Sequence, residues 1–183
     1  AGEVADAGRH MLALIDEVLE TSRLESGRLT ITEEPYSPAR ILKAAEEMIR
    51  PLAEKKGLEL RVEGAPELCS ETYYLYGDAL HIQQIVVNLL SNAVKYTDKG
   101  YISLRLSGQQ ESGEKRILWS VEDSGIGISP EDQGKIFENF GRGSNTDGKD
   151  GMGLGLAIVQ QLAGAMGGRI ALQSELGKGS CFT

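Results

Sequence analysis

Three polar side chains in the segment QQIVVNLLSNAVKYT (83–97) have the spacing of one face of a helix. Asn88, Asn92 and Lys95 recur at intervals of four and three residues, which places them on one stripe at about 100° per residue. The residues that this geometry turns away from the stripe are apolar: Ile82, Val86, Leu89 and Ala93. The stripe is either a solvated polar face or a chemical site, because amide oxygens are hard neutral ligands for Mg²⁺ and a lysine attracts phosphates.

Two glycine-rich stretches follow farther along the chain. DSGIGIS (123–129) comes after a predicted strand, and GMGLGLAIVQQL (151–162) places Gly151, Gly153 and Gly155 at the start of a predicted helix. Neither stretch is a P-loop or a GxGxxG motif, since Pro130 and Leu156 stand where the third glycine of that motif belongs. The glycines either build tight turns or bring phosphates close to the free N–H groups of a helix start.

Asp123 stands two residues before Gly125 and four before Gly127. A carboxylate held there can accept a hydrogen bond from an exocyclic amino group, which selects adenine over guanine, whose carbonyl would face it as a second acceptor. Its alternative role is an Asx turn that caps Gly125. The polar loop GRGSNTDGKDGMG (141–153) is predicted to be a mobile lid, from which Arg142 could reach a terminal phosphate.

Alternating and helical patterns predict the elements that position these residues. A long amphipathic helix is expected over 3–26, and a second helix over 37–57 with Ser37 as its N-cap and a bend or interruption at Pro51. Asp78 is expected to cap the helix that carries the polar stripe, and a further helix covers 154–166. Strands are expected at 29–37, 58–62, 72–77, 101–107, 116–123, 169–175 and 179–183, with the turn GQQESGEK (108–115) between the fourth and fifth.

The composition limits the classes of function. The chain of 183 residues is 40% hydrophobic, enough for one domain and an appendage, and its net charge of −8 argues against broad nucleic-acid binding. Cys69 and Cys181 form neither a CxxC pair nor a metal-ligand spacing, which is typical of reduced cytosolic thiols. No apolar run reaches 18 residues, so no membrane contact is expected. The amino terminus has neither a signal peptide nor an initiator Met, so we expect part of a longer protein.

In this order, the motifs resemble those of the catalytic ATP-binding domain of sensor histidine kinases. QQIVVNLLSNAVKYT resembles the asparagine box, VEDSGIGIS the first glycine box, IFENF the phenylalanine box and GMGLGLAIVQQLAGAMGGRI the second glycine box. VLETSRLESGRL resembles the end of the second helix of the dimerisation and histidine-phosphotransfer domain. The resemblance implies that residues 1–28 belong to that helix and that residues 29–183 form the catalytic domain. The implied fold is α/β (α+β): a two-layer sandwich of a mixed β-sheet and three main helices, preceded by one long helix from a helical dimerisation bundle.

The resemblance also implies a role for each matching position. Asn92 resembles the Mg²⁺ ligand, Asn88 a group that assists at the metal or the reacting phosphate, and Asp123 the residue that reads adenine. Further nucleotide contacts are implied at Lys95, Tyr96, Gly125, Gly127, Ile128, Arg142, Gly151, Gly153, Leu154, Gly155 and Leu156. Asn88, Lys95 and Arg142 are the implied catalytic residues, and Phe137 and Phe140 are expected to anchor the lid.

The implied cofactors are ATP and Mg²⁺. The implied reaction transfers the γ-phosphoryl group to a histidine and then to an aspartate of a response regulator receiver domain. The family's acceptor motif surrounds neither His10 nor His81. The acceptor is therefore expected on another domain of the same or a partner chain, in a homodimeric parent that is cytoplasmic or anchored in the inner membrane.

Two other interpretations stay open from the sequence. One is an ATPase of the gyrase B or MutL class, which usually has a glutamate at the position of Asn88. The other is a degenerate kinase that serves as a nucleotide-sensing or protein-docking module.

Overall fold

The computed structural model describes residues 30–70, 72–111, 113–138, 141 and 153–183. The predicted helix 3–26 lies outside the described residues, as do Phe140 and most of the predicted lid, including Arg142 and Gly151. In chain order, the elements are β1 (Glu34–Tyr36), α1 (Pro38–Lys56), β2 (Glu59–Gly64), β3 (Leu75–Gly77), α2 (Ala79–Tyr96), β4 (Tyr101–Glu111), β5 (Glu114–Asp123), a 3-10 turn (Lys135–Phe137), α3 (Gly155–Ala165), β6 (Leu172–Glu175) and β7 (Gly179–Phe182).

Five strands form one mixed sheet in the order β2-β4-β5-β7-β6. β2 pairs parallel to β4, and the remaining neighbours pair antiparallel. The short strands β1 and β3 form a separate antiparallel pair. The mixed sheet and three helices confirm the predicted α/β sandwich within the described residues.

The helices cover one face of the sheet because the apolar residues of both layers meet there. Ala45 and Ile49 of α1, Val86 of α2, Leu104 of β4 and Val121 of β5 belong to one buried cluster. Burial of these apolar surfaces is the main favourable contribution to folding of the two layers. The sheet therefore holds α2 over β5, next to the strand end at which Asp123 lies.

Helix α1 differs from its prediction at two positions. It continues through Pro51 without interruption, because Ile49 and Ala53 on either side are 2% and 0% exposed and their packing holds the helix together. Ser37 occupies the N-cap position, but its side chain makes no capping hydrogen bond. The predicted interruption of α1 is therefore wrong. Ser37 is the N-cap residue as predicted, but the expected side-chain hydrogen bond is not formed.

The hairpin between β4 and β5 is longer than predicted. Gln109 and Gln110 pair with Arg116 and Lys115, so the strands continue to Glu111 and restart at Glu114. Backbone pairing satisfies N–H and C=O groups that a polar loop would leave to water, which explains why the polar sequence still forms strand. Within the described ranges, no helix combines the length and the apolar character that crossing a membrane requires.

Candidate functional site

Helix α2 presents the polar stripe at the edge of the core. Its first residue follows Asp78, whose Oδ1 accepts a hydrogen bond from the His81 backbone N–H at 3.1 Å, so the predicted cap is confirmed. Asn88, Asn92 and Lys95 are each half-buried, whereas Ser91 on the same helix is exposed. The stripe is therefore not on the fully solvated face of α2. Of the residues predicted on the side turned away from it, Val86, Leu89 and Ala93 are buried and Ile82 is half-buried, and Leu90 is buried as well.

Packing between α2 and α3 brings the second glycine stretch to this stripe. Leu154, Ile158 and Leu162 are at most 1% exposed and pack against Ile85 of α2. As a result, the Asn92 Nδ2 atom lies 3.9 Å from the position that a Cβ on Gly155 would take. The N-cap residue of α3 is Leu154, whose side chain cannot cap the first N–H groups. The helix start beside Asn92 thus has the form of an anion site.

Asp123 ends β5 on the helix-facing side of the sheet and is 8% exposed. Its Oδ1 accepts hydrogen bonds from the Gly125 backbone N–H at 2.8 Å and from the Thr97 hydroxyl at 3.5 Å. The Asx turn that the sequence offered as the alternative role of Asp123 is therefore present. Burial raises the pKa of Asp123 more than the hydrogen bonds from Gly125, Thr97 and the Ser180 backbone lower it.

The backbone packs so closely at Gly125 and Gly127 that neither position can hold a side chain. A Cβ on Gly125 would lie 2.4 Å from the Tyr96 carbonyl oxygen, and one on Gly127 would lie 2.0 Å from the Glu175 carbonyl oxygen. Gly127 also has φ +66, which favours glycine. The Ile126 N–H donates to the Tyr96 carbonyl at 3.3 Å, which joins this turn to the end of α2. The turn therefore links Asp123 to the end of α2.

The apolar residues predicted at the site have side chains in the core. Leu154 is 1% exposed, and Ile128 and Leu156 pack against the main cluster. The Ile128 N–H donates to the Ser174 hydroxyl at 2.8 Å. Leu154 can therefore meet a ligand through its backbone only.

Two aromatic contacts lie around the site. The Lys95 ammonium is 4.8 Å from the centre of the Tyr96 ring, so these two predicted residues are in contact. Phe137 meets Phe182 of β7 edge-on, with ring centres 6.4 Å apart. This contact fastens the segment that precedes the predicted lid to the sheet.

Thr97 is a part of the site that the sequence patterns did not predict. It is 0% exposed, and its hydroxyl contacts the Asp123 carboxylate. A polar residue placed directly after Lys95 and Tyr96, at the end of the helix, was the available signal. In the described part of the chain, no three His, Cys, Asp or Glu side chains are grouped as metal ligands.

Comparisons with known proteins identify the family of the chain. Residues 77–183 match the family described as histidine kinase-, DNA gyrase B- and HSP90-like ATPases. The chain is 34% identical over 180 residues to the autoinducer 2 sensor kinase/phosphatase LuxQ of Vibrio parahaemolyticus, covering 96% of this chain and 21% of LuxQ. It is 35% identical over 182 residues to the sensor protein TorS of Escherichia coli, covering 98% of this chain and 19% of TorS.

A solved structure extends the comparison to three dimensions. The structure of full-length ShkA in complex with AMPPNP superposes with a TM-score of 0.82 at 34% identity, covering 97% of this chain and 35% of ShkA. The chain spans about a fifth of the length of LuxQ and of TorS. It belongs to the family of histidine kinase-, DNA gyrase B- and HSP90-like ATPases, and within that family to the catalytic domains of sensor histidine kinases.

Proposed function

We propose that this chain binds ATP with Mg²⁺ and transfers the γ-phosphoryl group to a histidine on another domain. The observation that carries the proposal is the buried Asp123 carboxylate, held by Gly125 and Thr97 beside the helix that bears Asn92. A carboxylate that is 8% exposed is unfavourable unless it is hydrogen-bonded. Gly125, Thr97 and Ser180 supply donors, and because a carboxylate has about four acceptor sites it could also accept from the exocyclic amino group of adenine.

The adenine would lie on the turn 125–127. Gly125 and Gly127 let this turn pack against Tyr96 and Glu175, because a Cβ at either position would meet a carbonyl oxygen of those residues. Both hydrogen bonds from Gly125 and Thr97 use Oδ1 of Asp123, so we assign Oδ2 to the adenine amino group. Tyr96 and Ile128 would complete this end of the pocket.

The phosphates would lie at the start of α3. Its N–H groups near Gly153 and Gly155, together with Leu154 and Leu156 through their backbone, offer donors without a side-chain cap. Lys95 adds positive charge from α2. Arg142 and Gly151, outside the described residues, are proposed to contact the phosphates on the strength of the sequence alone.

Asn92, assisted by Asn88, would hold Mg²⁺ through side-chain oxygens. The donor set fits a metal that arrives with the nucleotide, because the amide of Asn92 lies beside the open start of α3, where phosphate oxygens would complete the coordination. The amide oxygen and nitrogen exchange by a simple flip of the side chain. Bound there, Mg²⁺ would neutralise phosphate charge as the transfer proceeds.

In the proposed reaction, a histidine nitrogen attacks the γ-phosphorus and the bond to the β-phosphate oxygen breaks, releasing ADP. Asn88, Lys95 and Arg142 would position the phosphates for this step, which depends mainly on orientation and charge. Phosphohistidine, on a phosphoprotein acceptor, would then pass its phosphoryl group to an aspartate of a receiver domain.

The acceptor histidine is proposed to lie beyond these 183 residues, on the same or a partner chain of a homodimer. His81 is not available, since its side chain is 14% exposed and its Nδ1 lies 2.7 Å from the Asp78 carboxylate. Residues 1–28 are proposed to be the second helix of the dimerisation domain. The free thiols of Cys69 and Cys181 support a cytoplasmic location.

The transfer is tested by fusing residues 29–183 behind the dimerisation and histidine-phosphotransfer domain of an active sensor histidine kinase and incubating the fusion with labelled ATP and Mg²⁺. The expected product is acid-labile, base-stable phosphate on the acceptor histidine, which the Asn92→Ala fusion lacks. The same domain fused to its own catalytic domain is the positive control. Labelling by that control but not by this chain, despite normal ATP binding, would favour the nucleotide-sensing module over the kinase.

A further inference from the structure

The ammonium of Lys56, the last residue of α1, binds the carboxyl end of α2. It donates hydrogen bonds to the carbonyl oxygens of Val94 at 2.7 Å, Lys95 at 3.1 Å and Thr97 at 2.8 Å. Its Nζ also lies 3.3 Å from the Asp98 carboxylate. One side chain thus joins two helices at the end of the helix that carries the polar stripe.

This contact satisfies carbonyl groups at the end of α2. The last carbonyl groups of a helix have no partner within the helix, and the helix dipole makes this end negative. An ammonium carries three donors and a positive charge, so it can satisfy several carbonyls at once. Thr97, the C-cap residue of α2, is extended, with its N–H bonded to Ala93. Lys56 therefore holds the point at which the chain leaves the helix.

The segment that Lys56 holds is also a wall of the candidate nucleotide site. The Tyr96 carbonyl accepts the Ile126 N–H at 3.3 Å, and the Thr97 hydroxyl contacts Asp123 Oδ1 at 3.5 Å. These bonds lie between the carbonyls that Lys56 binds and the carboxylate assigned to adenine. A shift of the 94–98 backbone would consequently move Asp123 relative to the stripe.

We propose that Lys56 is a positioning residue for the nucleotide site. Its ammonium acts through the main chain of residues 94–97: it fixes the turn that carries Lys95 and Tyr96, and through Thr97 it fixes the orientation of Asp123. This proposal rests on the proposed function, because it presupposes that Asp123 selects adenine. It assigns to Lys56 a part in adenine selectivity.

The test compares three variants of the whole chain. Lys56→Met keeps most of the aliphatic stem and removes the ammonium, and Lys56→Arg restores a cationic donor. Lys55→Met removes the same charge from the exposed neighbouring position and is the matched control. Dissociation constants for AMPPNP and GMPPNP with Mg²⁺ are measured by calorimetry at a temperature where circular dichroism shows each variant folded. Amide hydrogen exchange is followed at Ile126 and in the interior strand β4.

Lys56→Met is expected to weaken AMPPNP binding by about tenfold, the effect of misplacing one charge-assisted hydrogen bond. GMPPNP binding should change less, so the preference for adenine shrinks. Exchange at Ile126 should accelerate while β4 stays protected. Lys55→Met should behave as the wild type, and Lys56→Arg should recover most of the selectivity.

The outcomes separate the two proposals. If the wild type binds AMPPNP selectively and Lys56→Met retains that affinity and selectivity while only its thermal stability falls, Lys56 is structural and the positioning role is overturned. If the wild type itself shows no adenine-selective binding, both the proposed function and the role of Lys56 are overturned.

Discussion

Replacing the Asp123 carboxylate by an amide should separate binding from stability. Burial raises the pKa of Asp123, and the negative charge of Glu122 adds to this, although hydrogen bonds from Gly125, Thr97 and Ser180 oppose it. Folding therefore disfavours the charged form of this side chain relative to the unfolded chain. Asp123→Asn supplies a neutral side chain of the same shape.

The expected loss of affinity follows from the atoms exchanged. The Oδ1 of an asparagine can still accept from Gly125 N–H and the Thr97 hydroxyl. In place of Oδ2, however, an NH₂ donor would meet the adenine amino group, which is also a donor. A hydrogen bond to a charged group is worth about 1.5–3 kcal/mol, so ATP affinity should fall roughly 10- to 150-fold. Guanine presents a carbonyl at that position, so GTP analogues should lose less affinity or gain some.

The unfolding free energy should change in the opposite direction. A carboxyl group whose pKa is raised by folding stabilises the fold in its protonated form, below its unfolded pKa of about 3.9, and this contribution is lost as pH rises through the folded pKa. The amide has no such dependence. Asp123→Asn should therefore equal or exceed the wild type in stability at pH 7, and its relative stability should increase with pH across that range.

The assay is calorimetric titration with AMPPNP and GMPPNP, together with urea unfolding at several pH values. Glu122→Gln is the control, because it removes the same charge from the adjacent position of β5. The Glu122 side chain accepts a hydrogen bond from the Tyr101 hydroxyl at 2.6 Å and is not assigned to the nucleotide. The control should bind AMPPNP as the wild type does. Unchanged AMPPNP affinity in Asp123→Asn would refute the assignment of this carboxylate to adenine.

Three further predictions concern separate parts of the site. Asn92→Ala should abolish most of the Mg²⁺-dependent gain in AMPPNP affinity and leave metal-free binding nearly intact; calorimetry with and without Mg²⁺ measures this, and an undiminished metal effect would remove Asn92 from the metal site. Gly127→Ala should lower the unfolding free energy by at least about 1–2 kcal/mol, because φ is +66 and the Cβ would meet the Glu175 carbonyl oxygen; a urea midpoint equal to the wild type would contradict this. Although burial opposes it, hydrogen bonds from Thr32 and His81 lower the pKa of Asp78. The contribution of this carboxylate to stability is therefore present above about pH 4 and is lost as pH falls through the folded pKa. Asp78→Asn should thus have a lower unfolding free energy than the wild type at pH 7, and urea unfolding should show this difference narrowing in acid.

The local patterns predicted the helix that carries the site and its cap. The spacing of Asn88, Asn92 and Lys95 placed them on one stripe, and Asp78 does cap α2. The sequence also anticipated Asp123 at a strand end and the turn it forms with Gly125. These features depend on residues close together in the chain, where periodicity and turn chemistry act directly.

Contacts between distant segments were not predictable in the same way. Tertiary packing brings Thr97 to Asp123, which is 26 residues away in the chain, and Lys56 to Thr97, which is 41 residues away. Pro51 was expected to bend or interrupt α1, but the helix continues through it, because the packing of Ile49 and Ala53 outweighs the local preference for a break. The side chain of Leu154 turned out to be core, which a glycine-rich motif alone does not reveal.

The most direct test of the account is titration of the whole chain with AMPPNP, in the presence and absence of Mg²⁺, with GMPPNP in parallel. We predict binding that favours adenine, that Mg²⁺ strengthens, and that Asp123→Asn and Asn92→Ala each weaken. A folded sample that binds neither nucleotide at millimolar concentration, or that binds both equally, would contradict the nucleotide site built here from Asn92, Asp123 and the start of α3.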